Sequence, residues 1–349
     1  MLERVHLGKA SDEEKWDEFV RSHPKGSPFH LTCWIRMIQK TYSFDPLLYA
    51  YANGTGGISG IFPFFMVRGP FVGTRVVSLP FSDYCGPLFD YESEESESLM
   101  KIIEEYRNRV KYIEIRSRMS NAHGLDCLSY YKRHVLKLAP DPMQLLRIID
   151  KRTIQRCIKR AEKLGVEIRE ENNEWGLEEF YRLNQLTRKK HGVPSQPKSF
   201  FKNLLDLVIL SGNGYILLAT FDSKVISGAV FLRFKDTIYY KYNASDPEYL
   251  SKMTPNHLLT WRAIERACLE GYSFFDFCRT SPDNLGLMRY KEMWGADPLD
   301  LPYYFYPQVK GAASMEGSGL LYRIFTSAWR ALPDSLVEII GPKIYRYMG

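Results

Sequence analysis

The residues of this chain that could do chemistry do not form a nucleophile–base arrangement. The seven histidines are few and scattered, and only His191 and His257 lie near other polar candidates. No Ser-His-Asp order and no glycine-flanked serine of the nucleophile-elbow type is evident. If an acyl group is transferred to an amine, the simpler mechanism is direct attack on a positioned carbonyl, without a covalent enzyme intermediate.

One carboxylate lies in an apolar setting. The segment Tyr272–Cys278 is apolar except at Asp276 and predicts a buried strand. A buried carboxylate is costly unless it is partnered. We therefore expect Asp276 either to bond to neighbouring backbone or Arg279, or to serve a site.

An internal repeat supplies the elements that must position these residues. Residues 47–65 and 216–234 each predict a strand, a turn and a second strand, and both contain Ile-Ser-Gly, ending at Gly60 and Gly228. Three further matches follow the same order: Trp16–Phe19 with Trp175–Phe180, Ser82-Asp83 with Ser245-Asp246, and Ile115–Ser117 with Cys278–Thr280. Their order and nearly constant spacing predict a duplication, and each copy has the α/β order of an acetyltransferase-like fold.

The domain limits follow from this repeat. We predict a first domain at 1–140, a second at 141–307, and a linker with C-terminal amphipathic helices at 308–349. A length of 349 residues suits about two domains. A doubly wound nucleotide fold would need a glycine-rich strand-to-helix turn, and we find none.

Composition restricts the cellular setting. No stretch of 18 apolar residues occurs, and the N-terminus, with Glu3 and Arg4, lacks the apolar run of a secretory signal, so we expect a cytoplasmic protein. The cysteines lack metal-site spacing and are interpreted as reduced thiols, with no metal site expected. They are Cys33, Cys85, Cys127, Cys157, Cys268 and Cys278. The net charge of +6 suits an anionic partner such as RNA, a nucleotide or a membrane surface, without selecting one.

The second copy contains two predicted helix openings. Asp141-Pro142 predicts a helix to about Leu164, ended by Gly165, and Thr254-Pro255 predicts another that runs to Gly271. The first helix is rich in cations, which form either a solvated face or a contact surface for the phosphates of RNA or a nucleotide diphosphate. These cations are Arg147, Lys151, Arg152, Arg156, Lys159, Arg160 and Lys163.

The C-terminal tail is amphipathic. Apolar residues recur with helical spacing from Leu321 to Leu332, and a second apolar and basic segment, Leu336–Met348, follows Pro333. The tail is expected to pack on the body of the protein or on a partner subunit, or to make peripheral contact with the inner face of a membrane.

Several motifs resemble those of the FemABX-like peptidyltransferases and the broader FemAB-related group with a BioF2-like (GNAT-like) acetyltransferase domain. The likeness covers roughly residues 10–305, and its last block is the most specific. The motifs are Gly86-Pro87-Leu88-Phe89-Asp90-Tyr91, Tyr242-Asn243-Ala244-Ser245-Asp246, Pro255–Trp261, Gly271–Phe277 and Gly286–Gly295.

The resemblance implies two tandem GNAT-like domains and transfer of an aminoacyl or acyl group onto an amine of a cell-envelope precursor. The family's aromatic-Lys pair falls on Tyr290-Lys291, where Lys291 would stabilise charge on the acyl carbonyl or on the donor's ribose and phosphate. Its cleft aspartate falls on Asp90, a candidate proton acceptor or amine-orienting group, and we expect the reaction in the cleft between the copies. Other predicted substrate-binding residues are Thr187, Arg188, Tyr242, Asn243, Ser245, Asp246, Asp83, Tyr84, His257 and Arg279.

Two departures leave the acyl donor open between an aminoacyl-tRNA and an acyl-CoA. The long coiled-coil insertion associated with tRNA binding in the family is absent, and so is the glycine-containing pyrophosphate loop of acetyltransferases. A CoA-dependent acetyltransferase acting on an amino sugar is the second hypothesis. A non-catalytic scaffold that binds a glycan or nucleotide-sugar is the third. The acceptor is a small molecule or glycan precursor, and no DNA partner is expected.

Overall fold

The chain forms two compact units, each assembled from separate stretches of sequence. The computed structural model describes residues 2–52, 57–69, 73–90, 92–117, 125–307 and 320–347. Unit 1 comprises residues 1–131, 300–316 and 346–349, and unit 2 comprises residues 132–299 and 317–345. The domain limits at 140 and 307 stay a prediction, and the linker predicted after 307 lies outside the described residues up to 319. No helix in the described ranges is long and apolar enough to cross a membrane.

Unit 1 is a mixed sheet with three α-helices among its described residues. In chain order its elements are β1 (Leu2–Val5), α1 (Ala10–Ser22), α2 (Thr32–Tyr42), β2 (Asp45–Ala52), β3 (Ile58–Gly69), β4 (Gly73–Val77), β5 (Leu88–Phe89), α3 (Glu92–Tyr106) and β6 (Tyr112–Arg116). A later strand, β13 (Asp297–Tyr306), pairs antiparallel with β6. The strand order is therefore β1-β2-β3-β4-β6-β13, with β5 beside β3.

Unit 2 repeats this architecture and contains more helices among its described residues. Its elements are β7 (Asp126–Lys137), α4 (Pro142–Leu145), α5 (Arg156–Lys163), β8 (Glu167–Glu170), α6 (Glu174–His191), α7 (Lys198–Leu204), β9 (Gly214–Phe221), β10 (Lys224–Phe234), β11 (Thr237–Ser245), α8 (Pro247–Met253), α9 (Pro255–Leu269), β12 (Phe274–Thr280), α10 (Leu285–Glu292), α11 (Leu320–Ala331) and α12 (Asp334–Tyr345). The strand order is β7-β12-β11-β10-β9-β8.

The two units share one order of elements. Each has a first strand, two helices, an antiparallel three-stranded meander, a helical connection and a strand parallel to the last meander strand. In unit 1 that parallel ladder begins with Arg75 opposite Tyr112, and in unit 2 with Thr237 opposite Phe274. Both partners are displaced by 162 residues between the units. The predicted duplication and the α/β class are therefore confirmed.

The repeated Ile-Ser-Gly marks a close approach inside each meander. A side chain at Gly60 would overlap the ring of Phe89, and one at Gly228 would overlap Leu218 and press on Phe180 of α6. Only glycine fits beside these large side chains without displacing them. The shared glycine is thus explained by packing.

Local capping explains where the helices of unit 2 begin. Asp141 caps α4 through the amide of Met143, and Pro255 opens α9 as predicted. The single helix predicted from 141 to about 164 is wrong, because the chain turns after Leu145 and Asp150 caps a new helix through the amide of Thr153. That helix begins with a π-helical turn, 151–155, and continues as α5.

The core of unit 2 lies between its sheet and α9. Leu259 and Ile264 of α9 and Phe231 and Phe275 of the sheet are fully buried in one cluster. This packing fixes α9 against β10 and β9, so the polar residues at the start of α9 have a rigid support.

Candidate functional site

The central feature of unit 2 is a pair of parallel strands that separate. β11 and β12 pair only from Thr237 to Tyr239, opposite Phe274 to Asp276. Beyond these residues no further ladder pair joins the two strands within the continuously described range 125–307, although each strand continues. We call the gap between 240–245 of β11 and 277–280 of β12 the wedge. Strands that separate leave backbone groups available to a ligand, such as an acyl carbonyl.

A β-bulge changes the direction of β12 where its pairing with β11 ends. Asp276 lies opposite Val135 of β7, and Arg279 lies opposite Arg133, so Phe277 and Cys278 together face the single residue His134. Cys278 has a left-handed backbone, with φ of 58°. A non-glycine residue in this region needs support from its surroundings.

Lys291 of α10 supplies that support. Its side chain is buried, and its ammonium donates to the carbonyl oxygens of Phe277 at 2.5 Å, Cys278 at 2.9 Å and Arg279 at 3.4 Å. An ammonium has three donors, and three consecutive carbonyls of the bulge accept from it. Contact of Lys291 with an acyl carbonyl stays a prediction, since the structure directs this side chain to backbone.

The buried Asp276 is partnered on both sides of the bulge. One of its oxygens accepts from Arg133 Nε at 2.5 Å, and the other accepts from the amide of Cys278 at 2.8 Å. The backbone bonding that we expect for Asp276 is confirmed by the amide of Cys278, and Arg133 of β7 supplies a cation that the sequence does not indicate. The ion pair thus ties β7 to the bulge of β12.

His134 is a polar residue of this region that the sequence did not single out. It is fully buried, and neither ring nitrogen has a hydrogen-bond partner among the residues that the structure describes. Burial, together with the charges of Lys291 and Lys132, lowers the pKa of His134 to about 4. The ring is therefore neutral near pH 7. Within the strand sequence only the presence of a histidine could have pointed to it.

Tyr290 provides a hydroxyl group near α9. Its hydroxyl lies 3.2 Å from Thr260 Oγ1, and Thr260 also donates to the hydroxyl of Tyr240 at 3.4 Å. Burial raises the pKa of Tyr290 to about 12 and raises the pKa of Tyr240 well above its usual range. Both phenols keep their protons near pH 7 and can donate hydrogen bonds. Thr260, which bridges them, was not among the predicted site residues.

His257 lies beside Tyr290. The two rings meet edge to face with centroids 5.5 Å apart. Burial lowers the pKa of His257, and its Nδ1 is buried without a hydrogen-bond partner in the described part of the chain. A neutral imidazole of this kind can accept a proton.

Three of the predicted residues join one hydrogen-bond network. Asn256 Oδ1 accepts from Ser227 at 2.5 Å and from Ser245 at 2.6 Å, while its amide group donates to Asn243 Oδ1 at 3.2 Å. The amide of Ser245 donates to Thr187 Oγ1 at 2.9 Å. The structure therefore brings Thr187, Asn243 and Ser245 together, with Ser227 and Asn256 as members that the sequence did not assign to the site.

Other predicted residues of unit 2 have partners within the fold. Asp246 caps α8 through the amide of Glu248 and pairs with Lys224 at 3.1 Å. Arg188 donates to the carbonyl of Pro194 and lies over the ring of Tyr345. Tyr242 packs edge-on against Phe200 and Phe201, and Arg279 offers its carbonyl to Lys291. Their substrate-binding roles stay predictions.

The three predicted residues of unit 1 lie near its β5 end. Asp90 is exposed, and its amide donates to the carbonyl of Ser59 at 3.0 Å. The carbonyl of Asp83 accepts from Tyr303 at 2.7 Å, and Tyr84 packs edge-on against Phe29. Their roles in binding or proton transfer stay predictions.

A groove of about 680 Å³ runs along α5, β8 and α9, but its charged walls are already neutralised. Arg262 pairs with Glu162 and Arg266 with Glu170. These ion pairs leave no evident reactive group, so we place the candidate site at the wedge.

The link between β11 and α9 does not fit a diphosphate. Glycine-rich backbone amides before a helix are a common binding site for a pyrophosphate group. Here the link from Asp246 to Thr254 contains no glycine and forms α8, and the carboxylate of Asp246 already caps that helix. A carboxylate at this position repels phosphate.

Comparisons with known proteins agree with this architecture. Residues 150–292 match the acetyltransferase (GNAT) domain family. A comparison with proteins of curated function found no match.

Among solved structures, the chain is similar to FemX, with 17% identity and a TM-score of 0.65 over 86% of this chain and 96% of that one. It is also similar to the C-terminal domain of a putative lysylphosphatidylglycerol synthetase from Agrobacterium fabrum, with 10% identity and a TM-score of 0.57 over 88% and 94% of the two chains. A tandem GNAT protein from the clavulanic acid biosynthesis pathway matches with 11% identity and a TM-score of 0.55 over 87% and 98%.

These findings confirm the tandem GNAT-like architecture and the FemABX-like fold that the motifs indicated. The family match covers the elements from the start of α5 to the end of α10, which carry the wedge, Tyr290 and Lys291. The chain thus has the FemX-like fold, and its residues 150–292 form an acyltransferase domain of the GNAT type.

Proposed function

We propose that this protein is an N-acyltransferase that moves an aminoacyl or acyl group onto an amine of a cell-envelope or polysaccharide precursor. The observation that carries the proposal is the wedge of unit 2, with its bulge bound by Lys291 and the protonated hydroxyl of Tyr290 on the same helix. Such a site can hold a carbonyl against hydrogen-bond donors and so stabilise a developing oxyanion.

The reaction needs no covalent enzyme intermediate. The acceptor amine attacks the carbonyl carbon of the donor, a C–N bond forms, and the C–O bond of an ester or the C–S bond of a thioester breaks. Tyr290 donates a hydrogen bond to the oxyanion or to the leaving group. The amine proton passes to a base and from there to the oxygen or sulfur of the leaving group, which departs as an alcohol or thiol. His257 is the candidate base in unit 2 because its ring contacts Tyr290. Asp90 is the alternative base that the family resemblance suggests.

Two observations favour an aminoacyl donor over an acyl-CoA. The helical, glycine-free link capped by Asp246 offers no cradle for the diphosphate of CoA. One similar structure, the domain from Agrobacterium fabrum, is named for a putative lysylphosphatidylglycerol synthetase, which favours an aminoacyl cargo. We expect the enzyme to act in the cytoplasm, with peripheral contact at the inner face of the membrane.

A thermal-shift screen against CoA, acetyl-CoA, charged tRNA and nucleotide-linked sugars tests the proposal, because a ligand of the folded state raises the melting temperature. A shift with charged tRNA and not with CoA supports an aminoacyl donor. A shift with CoA overturns that choice and favours the acetyltransferase alternative. Binding of sugars without turnover in the presence of either donor favours a scaffold.

Variants of the two candidate bases refine the mechanism. If His257 accepts the proton, His257→Asn lowers kcat and removes the acidic limb of the pH–rate profile, whereas Asp90→Asn changes neither. The opposite pattern assigns the proton to Asp90.

A further inference from the structure

A row of cations runs along one face of unit 2, on the helix formed by the π-helical turn 151–155 and α5. Ile154, Ile158 and Ala161 face inward and are buried. The opposite face carries exposed Arg152, Arg156, Lys159 and Lys163, at spacings of four, three and four residues, with Lys151 and Arg160 beside them. These six side chains form what we call the basic face.

The basic face lacks the acidic partners found elsewhere in unit 2. None of its six side chains has an ion pair or a hydrogen bond in the described ranges, and the nearby Glu162 is engaged by Arg262. By contrast, Arg262 and Arg266 on α9 each contact two glutamates. Six neighbouring cations repel one another, so an anionic surface that covers them is favourable.

Aliphatic side chains accompany the cations. Met143 is 61% exposed, Ile148 is 57% exposed and Leu164 is 40% exposed. No aromatic residue occurs between Asp141 and Gly165, so the segment offers nothing on which nucleic-acid bases could stack. Exposed aliphatics among lysines and arginines are typical of segments that lie in the interface of an anionic membrane.

We propose that residues 143–164 dock unit 2 onto the surface of an anionic lipid membrane. The segment is joined directly to the elements of the candidate site: the amide of Asp150 donates to the carbonyl of Met293, and Thr254 donates to the carbonyl of Cys157, both at 2.9 Å. Docking therefore holds α9 and α10 near the lipid. The claim that docking assists acyl transfer rests on the proposed function. The claim that the segment binds lipid does not depend on it.

Vesicle co-sedimentation with the full chain tests the docking. The protein should bind vesicles that contain phosphatidylglycerol, bind phosphatidylcholine vesicles far more weakly, and dissociate as salt is raised. The triple variant Lys159→Gln, Arg160→Gln, Lys163→Gln should lower the partition coefficient roughly a hundredfold, because each cation at an anionic surface contributes about fivefold. Met143→Ser should weaken binding further by loss of the apolar contact.

A matched control removes the same charge elsewhere on unit 2. The triple variant Lys190→Gln, Lys202→Gln, Lys252→Gln changes three exposed lysines outside the segment and should lower binding far less. Melting temperatures equal to that of the parent protein establish that both triple variants are folded.

Three results would overturn the proposal. The first is equal loss of binding in both triple variants, which indicates net charge alone. The second is loss of binding only in Ile339→Ser, a change of an exposed residue of α12, which assigns lipid contact to the C-terminal tail. The third is absence of binding to phosphatidylglycerol vesicles, and tRNA binding that depends on the basic face would then assign this face to RNA. Turnover with a soluble acceptor reports on the proposed function separately, because it does not require the membrane.

Discussion

Replacing Lys291 by methionine tests whether this lysine acts through the β12 bulge. Methionine keeps most of the length and apolar volume of the side chain but removes the ammonium that binds three carbonyls. The buried carbonyls of Phe277 and Cys278 and the carbonyl of Arg279 then lose their charged donor. The left-handed backbone of Cys278 loses the group that holds it.

The expected magnitude follows from these three bonds. Each buried acceptor left without a donor costs about 1 kcal/mol at the low end of the measured range, which gives about 3 kcal/mol for three. Removing a buried ammonium also removes its desolvation cost, which offsets part of this loss. We therefore expect the free energy of unfolding to fall by about 2 to 3 kcal/mol. Turnover of the folded variant should fall as well, because the wall of the wedge changes shape.

Urea unfolding gives the free energy, and amide formation by the folded variant gives the turnover. Arg289→Met is the control, because it removes a cation from the exposed side of the same helix and should change stability by less than about 0.5 kcal/mol. If both variants lose equally little stability, Lys291 does not hold the bulge. If Lys291→Met loses stability but keeps full turnover, the bulge does not shape the reaction site.

Three further changes test the remaining roles. Tyr290→Phe should lower turnover about a hundredfold while the protein stays folded, since it removes one donor to the oxyanion or leaving group; unchanged turnover would exclude that role. His134→Phe tests pH dependence: the pKa of this ring is about 4 in the folded protein and about 6.5 in the unfolded chain, so the unfolded chain binds more protons between these values and stability falls as pH falls through that window. Between pH 7 and pH 4 the free energy of unfolding should therefore decrease less in the variant than in the parent protein, by up to about 3 kcal/mol. Parallel plots of stability against pH for the two proteins would contradict this prediction. Arg116→Met in unit 1 leaves the carboxylate of Glu114 buried and unpaired and should cost about 3 to 5 kcal/mol in urea unfolding, with part of the loss recovered when Glu114→Gln is added.

Turn and capping residues in the sequence predict where some strands and helices begin and end. The hairpin of β9 and β10 and the opening of α9 at Pro255 were correct, because turns and caps are determined within a few residues. The break after Leu145 was missed, although Asp150 and Thr153 form a second cap three residues apart. The cations of this region recur at helical spacing on both sides of Asp150. Their pattern therefore predicts one continuous helix and does not indicate the cap.

The contacts of the site could not be predicted in the same way. Lys291 binds carbonyls of a β-bulge. No residue type in β12 predicts that Cys278 adopts a left-handed backbone. Arg133 reaches Asp276 across strand pairing between residues 143 positions apart. Such partners are determined by register and bulges, which depend on the whole sheet.

The two copies differ in what occupies the space after their parallel strands. In unit 1, the buried Arg116 pairs with Glu114 at 2.7 Å and donates to the carbonyls of Leu79 and Ser82. A ligand entering there would have to break a buried ion pair, at a cost of about 3 to 5 kcal/mol. In unit 2, the corresponding strands separate beside the protonated Tyr290, and the buried ion pair of Asp276 is directed to β7 instead. The two units share a fold, but binding an acyl donor requires breaking a buried ion pair only in unit 1. For this reason we assign the chemistry to unit 2.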